Sequence, residues 1–140
     1  MSCFESVAAG EKTREFFVLN LRVADRLAVV TRTAKPFSEP DDCERAFREL
    51  DEDLNGVDRV HHSLLVDLRE VGGRNDGDFE KGIAPLRQAL LQSFAHAALV
   101  VATFIGRLQV QRHLREDGSD SQVFVDIDEA IAALKALGGT

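Results

Sequence analysis

The chain of 140 residues has no tryptophan, no tyrosine and only two cysteines, and no apolar run is long enough to cross a bilayer. Its aromatic residues are nine phenylalanines, so platforms on which nucleic-acid bases stack are not expected. Cys3 and Cys43 form no CxxC pair, and four scattered histidines complete no zinc pattern. We therefore expect two reduced thiols, no metal and no cofactor.

A basic excess is also missing, because the formal net charge is -7. Nucleic acids and anionic membranes both favour a basic surface, so neither nucleic-acid binding nor membrane insertion is expected. The first residues, MSCFESVAAGEKTRE, lack the basic and apolar segments of a signal peptide, which predicts a cytoplasmic protein. With 44% hydrophobic residues, the chain has enough apolar side chains to form the core of one domain.

Strand-like and helix-like segments alternate along the chain after residues 1–14, which are polar and predict a flexible tail. Residues 16–23 (FFVLNLRV) and 27–33 (LAVVTRT) are rich in strand-forming residues, and the short connection between them predicts an antiparallel hairpin. The full order is β-β-α-β-α-β-α-β-α. It predicts an α/β fold over residues 15–140, with a mixed four- to five-stranded sheet and helices packed against it.

The helices are predicted from their caps and their apolar spacing. Ser38 and Asp41 resemble a capping box at the first helix, and Asp126 with Glu129 resembles one at the last. Pro85 either kinks the second helix or marks its start. The expected buried stripes of the first and last helices are Cys43, Phe47, Leu50, Leu54 and Val57, and Ile127, Ala130, Ile131, Leu134 and Leu137. The acidic outer side of the first helix is either a solvated face or a docking surface.

The stretch LLVDLREVGGRNDGDFE joins a predicted buried strand to the second helix and contains a cluster of acids. One interpretation is structural: Asp67 leaves the core with its strand, and Asn75 or Asp76 caps the helix. The other is a recognition loop held by a rigid scaffold. The candidate partner-binding residues are Asp67, Arg74, Asn75, Asp76, Asp78 and Phe79.

A second candidate site follows the next strand, since ligands of open α/β sheets bind at the carboxyl ends of parallel strands. Thr103 ends this strand, and Phe104, Arg107 and Arg112 follow in the third helix as possible ligand or anion contacts. An apolar pocket near the start of this helix, lined by Phe104, Ile105 and the Ile83–Leu90 side of the second helix, would suit a small molecule. The basic residues of the third helix could instead be solvated, or could contact the acidic first helix of a second copy. No set of nucleophile, base and metal ligands is complete, so no catalytic residue is predicted.

Two stretches resemble the STAS superfamily, the fold of anti-sigma-factor antagonists. LLVDLREVGGRNDGDF is similar to that family's strand ending in Asp-Leu-Ser, followed by a loop and by Asp-Ser-Ser-Gly-Leu at a helix start. GRLQVQRHLREDGSDSQVFVDIDEAIAAL is similar to its last third. The resemblance covers nearly the whole chain after the tail, and it implies a non-enzymatic module that binds another protein.

The chain departs from the family at the position of the phosphorylated serine. When Asp67 is placed on the family's strand-end aspartate, Asn75 takes the position of the loop aspartate and Asp76 that of the phosphorylatable serine. A phosphoserine switch is therefore not expected here. The chain looks more like the divergent, SEC14-related members of the fold, and this resemblance keeps a small-molecule or lipid-binding domain as the alternative. A homodimer through the edge strand of the hairpin is a further expectation.

Overall fold

The computed structural model describes residues 10–22, 25–35, 38–70, 77–116, 118 and 121–138. Within these residues, strands precede and then alternate with helices, as the sequence predicts. The strands are β1 (Gly10–Thr13), β2 (Phe17–Arg22), β3 (Leu27–Arg32), β4 (Ser63–Asp67), β5 (His96–Val100) and β6 (Gln122–Phe124). The helices are α1 (Pro40–Asp53), α2 (Gly77–Ser93), α3 (Phe104–Glu116) and α4 (Ile127–Gly138). A short 3₁₀ turn, Arg59–His61, precedes β4.

The strands form one mixed sheet in the order β1-β2-β3-β4-β5-β6. The predicted hairpin is confirmed, because β2 and β3 are antiparallel and Leu19 lies opposite Val30. From β3 onward the strands are parallel, and Leu65 of β4 aligns with Val29 of β3 and with Ala98 of β5. The carboxyl ends of β3 to β6 therefore lie side by side along one edge of the sheet, the edge formed by strand ends.

The described residues contain six strands, one more than the upper limit of the predicted four to five. The additional strand is β1, which lies within the predicted tail and pairs antiparallel with β2 from Gly10 opposite Leu21 to Thr13 opposite Val18. Its sequence, GEKT, has no apolar alternation, so its strand conformation depends on the backbone groups that β2 offers. The hairpin is therefore not an edge of the sheet, and a homodimer through it is not supported.

The two faces of the sheet are covered unequally. One face carries the larger core, in which Leu64 of β4 packs with residues of α1, α2 and α3 such as Leu50, Leu91 and Leu114. The other face carries a smaller core, in which Leu65 packs with α4. Because successive side chains of a strand point to opposite faces, the continuous apolar run of β4 serves both cores.

The helix ends agree with the predictions to within a few residues. At α1 the cap is one residue later than predicted: the Asp42 carboxylate accepts hydrogen bonds from the backbone N–H groups of Ser38 and Glu39, both at 3.0 Å. Pro40 occupies the first helical turn, where its missing N–H costs nothing. The helix ends at Asp53, and Gly56 follows with a φ of 91°, a conformation that glycine adopts without strain.

The positions of Pro85 in α2 and Leu137 in α4 test two further predictions about the helices. Pro85 lies in the interior of α2, so it does not mark the start of that helix. Leu137 was predicted to be buried, but 51% of it is exposed, because the last turn of α4 extends beyond the smaller core. Among the described residues, no helix is long and apolar enough to span a membrane.

Candidate functional site

Polar side chains follow β4, β5 and β6 at the edge where these parallel strands end. Asp67 is the last residue of β4, Thr103 lies between β5 and α3, and Asp126 lies between β6 and α4. This edge is where open α/β sheets bind ligands, and it contains two of the predicted site residues. The contacts of each side chain show which of them is available for binding or chemistry.

Asp67 is buried, with 6% of the residue exposed, so it does not leave the core as predicted. Its carboxylate is held by Arg69, two residues along the chain. Arg69 Nε donates to Oδ1 at 2.9 Å, Nη2 donates to Oδ2 at 2.8 Å, and the Arg69 backbone N–H donates to Oδ1 at 3.0 Å. Three donors from one residue satisfy most of the acceptor capacity of this carboxylate.

This pairing controls the ionisation of Asp67. Burial by itself would raise the pKa of the carboxyl group, but the hydrogen bonds and the positive charge of Arg69 outweigh burial and hold the pKa below its ordinary value. A carboxylate with a low pKa and occupied lone pairs is a weak general base. Asp67 therefore fixes the segment after β4, and Arg69, whose side chain is 43% exposed, is the group that reaches solvent.

Thr103 caps α3, because its Oγ1 accepts a hydrogen bond from the Gly106 backbone N–H at 3.0 Å. A Cβ atom at Gly106 would lie 3.1 Å from the same oxygen, so glycine allows the close approach. Asp126 caps α4 in a similar way, accepting from the backbone N–H groups of Asp128 at 2.8 Å and Glu129 at 3.3 Å. These two strand-end side chains therefore serve as helix caps.

Replacing Thr103 with valine is expected to lower the free energy of unfolding by about 0.5–2 kcal/mol, because the shape of the side chain is kept and the capping oxygen is lost. Urea titration followed by circular dichroism measures this change. The control is Thr13→Val on the exposed strand β1, where a change within about 0.5 kcal/mol is expected. Equal effects of the two substitutions would contradict the capping role.

The predicted recognition loop is described in part. Arg74, Asn75 and Asp76 lie outside the described residues. Asp78 and Phe79 lie in the first turn of α2. Of this candidate set, the structure therefore gives contacts for Asp67 alone.

The start of α3, where an apolar pocket was predicted, carries an exposed apolar patch instead. The exposed fractions of Phe104, Ile105 and Leu108 are 68%, 71% and 64%. Phe104, with Leu108 four residues later, lies on one side of the helix, and Ile105 is adjacent. Large apolar side chains grouped on a surface in this way mark interaction sites.

The orientation of α3 explains this exposure. The helix contacts the larger core through Leu114, which is buried, and Val110, which is half-buried. Val110 and Leu114 are four residues apart, and at about 100° per residue they lie roughly 80–120° around the helix axis from Phe104. The helix therefore packs through its second half and presents the apolar residues of its first half to solvent.

Cationic side chains continue the same exposed side toward the end of the helix. The Arg112 side chain is 68% exposed and lies 3.9 Å from Glu116, which is a weak contact, and Arg115 is exposed. Arg107 is half-buried. We call the surface formed by Phe104, Ile105, Leu108, Arg112 and Arg115 the α3 outer face.

A small cavity lies on the same side of the sheet, between α1 and α2, and we call it the α1–α2 cavity. Its volume is about 170 Å³. Apolar side chains form most of its wall, and Asp51 and Arg59 form an ion pair with a separation of 3.1 Å. The lining residues are Phe47, Leu50, Asp51, Arg59, Leu86, Ala89 and Leu90. The predicted pocket shares the Leu86–Leu90 part of α2 with this cavity, but Phe104 and Ile105 do not line it.

Within the part of the chain that the structure describes, no three His, Cys, Asp or Glu side chains are grouped so that they could hold a metal ion. Comparisons of the chain with protein-family models, with curated proteins and with solved structures find no match. The structure establishes the general fold class, an α/β domain whose described residues form a six-stranded mixed sheet.

Proposed function

We propose that this chain is a cytoplasmic, non-enzymatic protein-interaction module with a STAS-like fold, and that it contacts its partner through the α3 outer face. The observation that carries the proposal is the joint exposure of Phe104, Ile105 and Leu108 in one and a half turns of helix. Full burial of each such side chain contributes about 1.5–3 kcal/mol. Three of them contribute about 4.5–9 kcal/mol, which is comparable to the cost of association of about 4–15 kcal/mol, so polar and charged contacts around the patch must add to them.

The surroundings of this patch favour recognition of a protein rather than chemistry. At the neighbouring strand ends, Asp67 is neutralised by Arg69, and Thr103 and Asp126 cap helices. A catalytic edge would instead present a free base or nucleophile beside a cavity. Apolar residues surrounded by arginines are typical of protein interfaces, in which aromatic residues and arginine are enriched.

The assignment to a STAS-like fold is supported by the confirmed hairpin and by the strand–helix alternation that follows it. The chain has aspartate at position 76, where the resemblance places the phosphorylatable serine. In this proposal, contact with the partner is therefore not switched by a phosphoserine at that position, and the apolar patch at the start of α3 provides the binding energy.

A small-molecule or lipid-binding domain is the alternative, and the α1–α2 cavity is the observation that favours it. Its volume of about 170 Å³ is smaller than the 300–1,000 Å³ that is usual for ligand pockets. A cavity of about 150 Å³ in another protein accommodates benzene. The α1–α2 cavity therefore suits a single ring or a short aliphatic group better than a lipid.

The proposal is tested by replacing Phe104 with glutamate. The tagged wild-type chain is expected to retain a partner from the extract of its own cells, and Phe104→Glu is expected to reduce the retained amount at least tenfold, since an unpaired charge would be buried in the contact. Quantitative mass spectrometry of the retained proteins measures the loss.

Val60 provides a matched control, because it is 67% exposed and lies in the 3₁₀ turn that precedes β4, at the opposite edge of the sheet. Val60→Glu is expected to retain the partner at the wild-type level. Equal retention by Phe104→Glu and the wild-type chain, with both proteins folded by circular dichroism, would refute the α3 outer face as the contact surface.

A further inference from the structure

We infer that a second copy of this chain is the partner, and that the α3 outer face of one copy docks into the α1–α2 cavity of the next. The inference rests on the proposed function, because it takes the same surface as the point of contact and names what that surface contacts. It brings together two features that the molecule leaves unpaired: an exposed group of apolar side chains and an open apolar cavity.

The first argument is size. The cavity of about 170 Å³ is slightly larger than one that holds benzene, so it can accept the phenyl ring of Phe104. Its wall is formed mainly by Phe47, Leu50, Leu86 and Leu90, which offer apolar contacts to that ring. Edge-to-face contact between two phenylalanine rings adds to the gain from burial.

The second argument is charge. Helix α1 contains seven acidic residues and two arginines, whereas α3 contains three arginines and one glutamate, in a chain with a net charge of -7. Asp51 lines the cavity with its side chain 67% exposed, and Glu44, one turn before Phe47 on the same side of α1, is also exposed. Five of the seven acids of α1 lie 3.0–3.9 Å from a cation of the same protomer, so the arginines of an incoming α3 would mainly meet Glu44 and the exposed Asp51 beside the cavity. Attraction to these two carboxylates favours this orientation over others.

The third argument is geometry. The α3 outer face and the α1–α2 cavity are different surfaces of one molecule, so the contact between copies is heterologous and each copy keeps one surface free. Such contacts continue into rings or open chains instead of stopping at a symmetric dimer. The interface is small, which predicts reversible association with a dissociation constant in the micromolar range.

Sedimentation equilibrium of the purified full chain between roughly 10 and 500 µM, a range that brackets such affinities, tests the inference. The weight-average mass is expected to rise with concentration above twice the protomer mass of 15.4 kDa. At about 1 M NaCl, where charges are screened beyond about 3 Å, the association should weaken. A mass that stays at one protomer over the whole range would overturn the inference.

Two substitutions separate the two surfaces. Phe104→Glu disables the α3 outer face and keeps the cavity, whereas Ala89→Arg places a long cation over the cavity and keeps the α3 outer face. Both residues are exposed, so both variants are expected to fold. Each variant alone should associate at least about tenfold more weakly than the wild-type chain, and an equimolar mixture should form a dimer of one copy of each. Leu137→Glu, on α4 at the other face of the sheet and 51% exposed, should associate as the wild-type chain does.

The mixture distinguishes the possible results. A mixture that stays monomeric, or wild-type association that neither substitution weakens, would show that the two surfaces do not meet. A small molecule that native mass spectrometry finds on the wild-type protomer but not on Ala89→Arg would assign the cavity to a ligand and overturn the inference. A monomeric chain that still retains a different protein through Phe104 would overturn the inference while leaving the proposed function intact.

Discussion

Replacing Arg69 with methionine is expected to lower the free energy of unfolding by about 1–3 kcal/mol at pH 7, because Asp67 stays buried without its partner. Methionine keeps much of the length of the side chain, so packing changes little, and it removes the two side-chain hydrogen bonds and the positive charge of the pair. The estimate lies below the cost of breaking a fully buried pair, because the Arg69 side chain is 43% exposed and solvent screens its charge.

The effect should depend on pH in a direction that follows from the pKa of Asp67. In the wild-type chain this pKa is below its ordinary value, so the pair stabilises the fold above about pH 4 and the gain is lost as the pH falls through the folded-state pKa. In Arg69→Met only the backbone N–H of residue 69 still opposes burial, so the pKa of Asp67 rises above that in the wild-type chain. The ionised carboxylate is then less favourable at neutral pH, and protonation removes part of the penalty. The difference between the two proteins should therefore narrow from pH 7 to pH 3.

Urea titrations at several pH values measure this difference. Arg112→Met is the matched control, since the Arg112 side chain is 68% exposed and its contact with Glu116 is 3.9 Å long. A change within about 0.5 kcal/mol at every pH is expected for it. A constant difference between Arg69→Met and the wild-type chain across the pH range would mean that the pair does not control the ionisation of Asp67.

The sequence predicts most of the fold because its local signals agree with the tertiary arrangement. The short connection between residues 16–23 and 27–33 permits no arrangement other than antiparallel neighbours, and the continuous apolar run at 64–66 fits a strand covered on both faces. Strand β1 was not predicted, because it has no local signal that agrees with the tertiary arrangement. Its four residues carry no apolar pattern, so their conformation is set by pairing with β2, a contact that a local pattern does not encode.

The candidate site is less predictable because it depends on which side of a helix faces the core. In α3 the apolar residues fall on two sides, Phe104 and Leu108 on one and Val110 and Leu114 on the other, so periodicity alone does not choose between them. Packing against the sheet determines which side is buried, because Val110 and Leu114 contact the larger core. The polar residues Gln111 and Arg115 lie on the same side of the helix as Phe104, and they were the sequence signal that this side is exposed.

Arg69 was not predicted as a partner of Asp67, although it is two residues away. In a regular strand, residues two apart lie on the same face with no fixed contact between their side chains. Here β4 ends at Asp67, and the chain after it turns so that both the backbone N–H and the guanidinium of Arg69 reach the carboxylate. In this chain, the acid at the strand end and the arginine two residues later were therefore the sequence signal for the pair.

Replacing Leu64 or Leu65 with alanine is expected to cost about 2–5 kcal/mol in each case, the largest change considered, because both residues are fully buried. The whole stability of a domain this size is about 5–15 kcal/mol, so each variant loses a large part of it. Leu64 faces the core shared by α1, α2 and α3, whereas Leu65 faces α4. Because α4 alone covers Leu65, it can move toward the sheet and partly fill the space that the substitution leaves. The loss of stability in Leu65→Ala should therefore lie in the lower half of the range.

Hydrogen exchange separates the two variants further, because local opening follows the contacts that are lost. Leu65→Ala should accelerate exchange in α4 more than in α1, and Leu64→Ala should do the reverse. Leu137→Ala, at a position of α4 that is 51% exposed, should cost less than about 1 kcal/mol and serves as the control. If Leu65→Ala left α4 as protected as in the wild-type chain, α4 would not be the cover of this face of the sheet. That result would contradict the division of the core into a larger part under α1, α2 and α3 and a smaller part under α4.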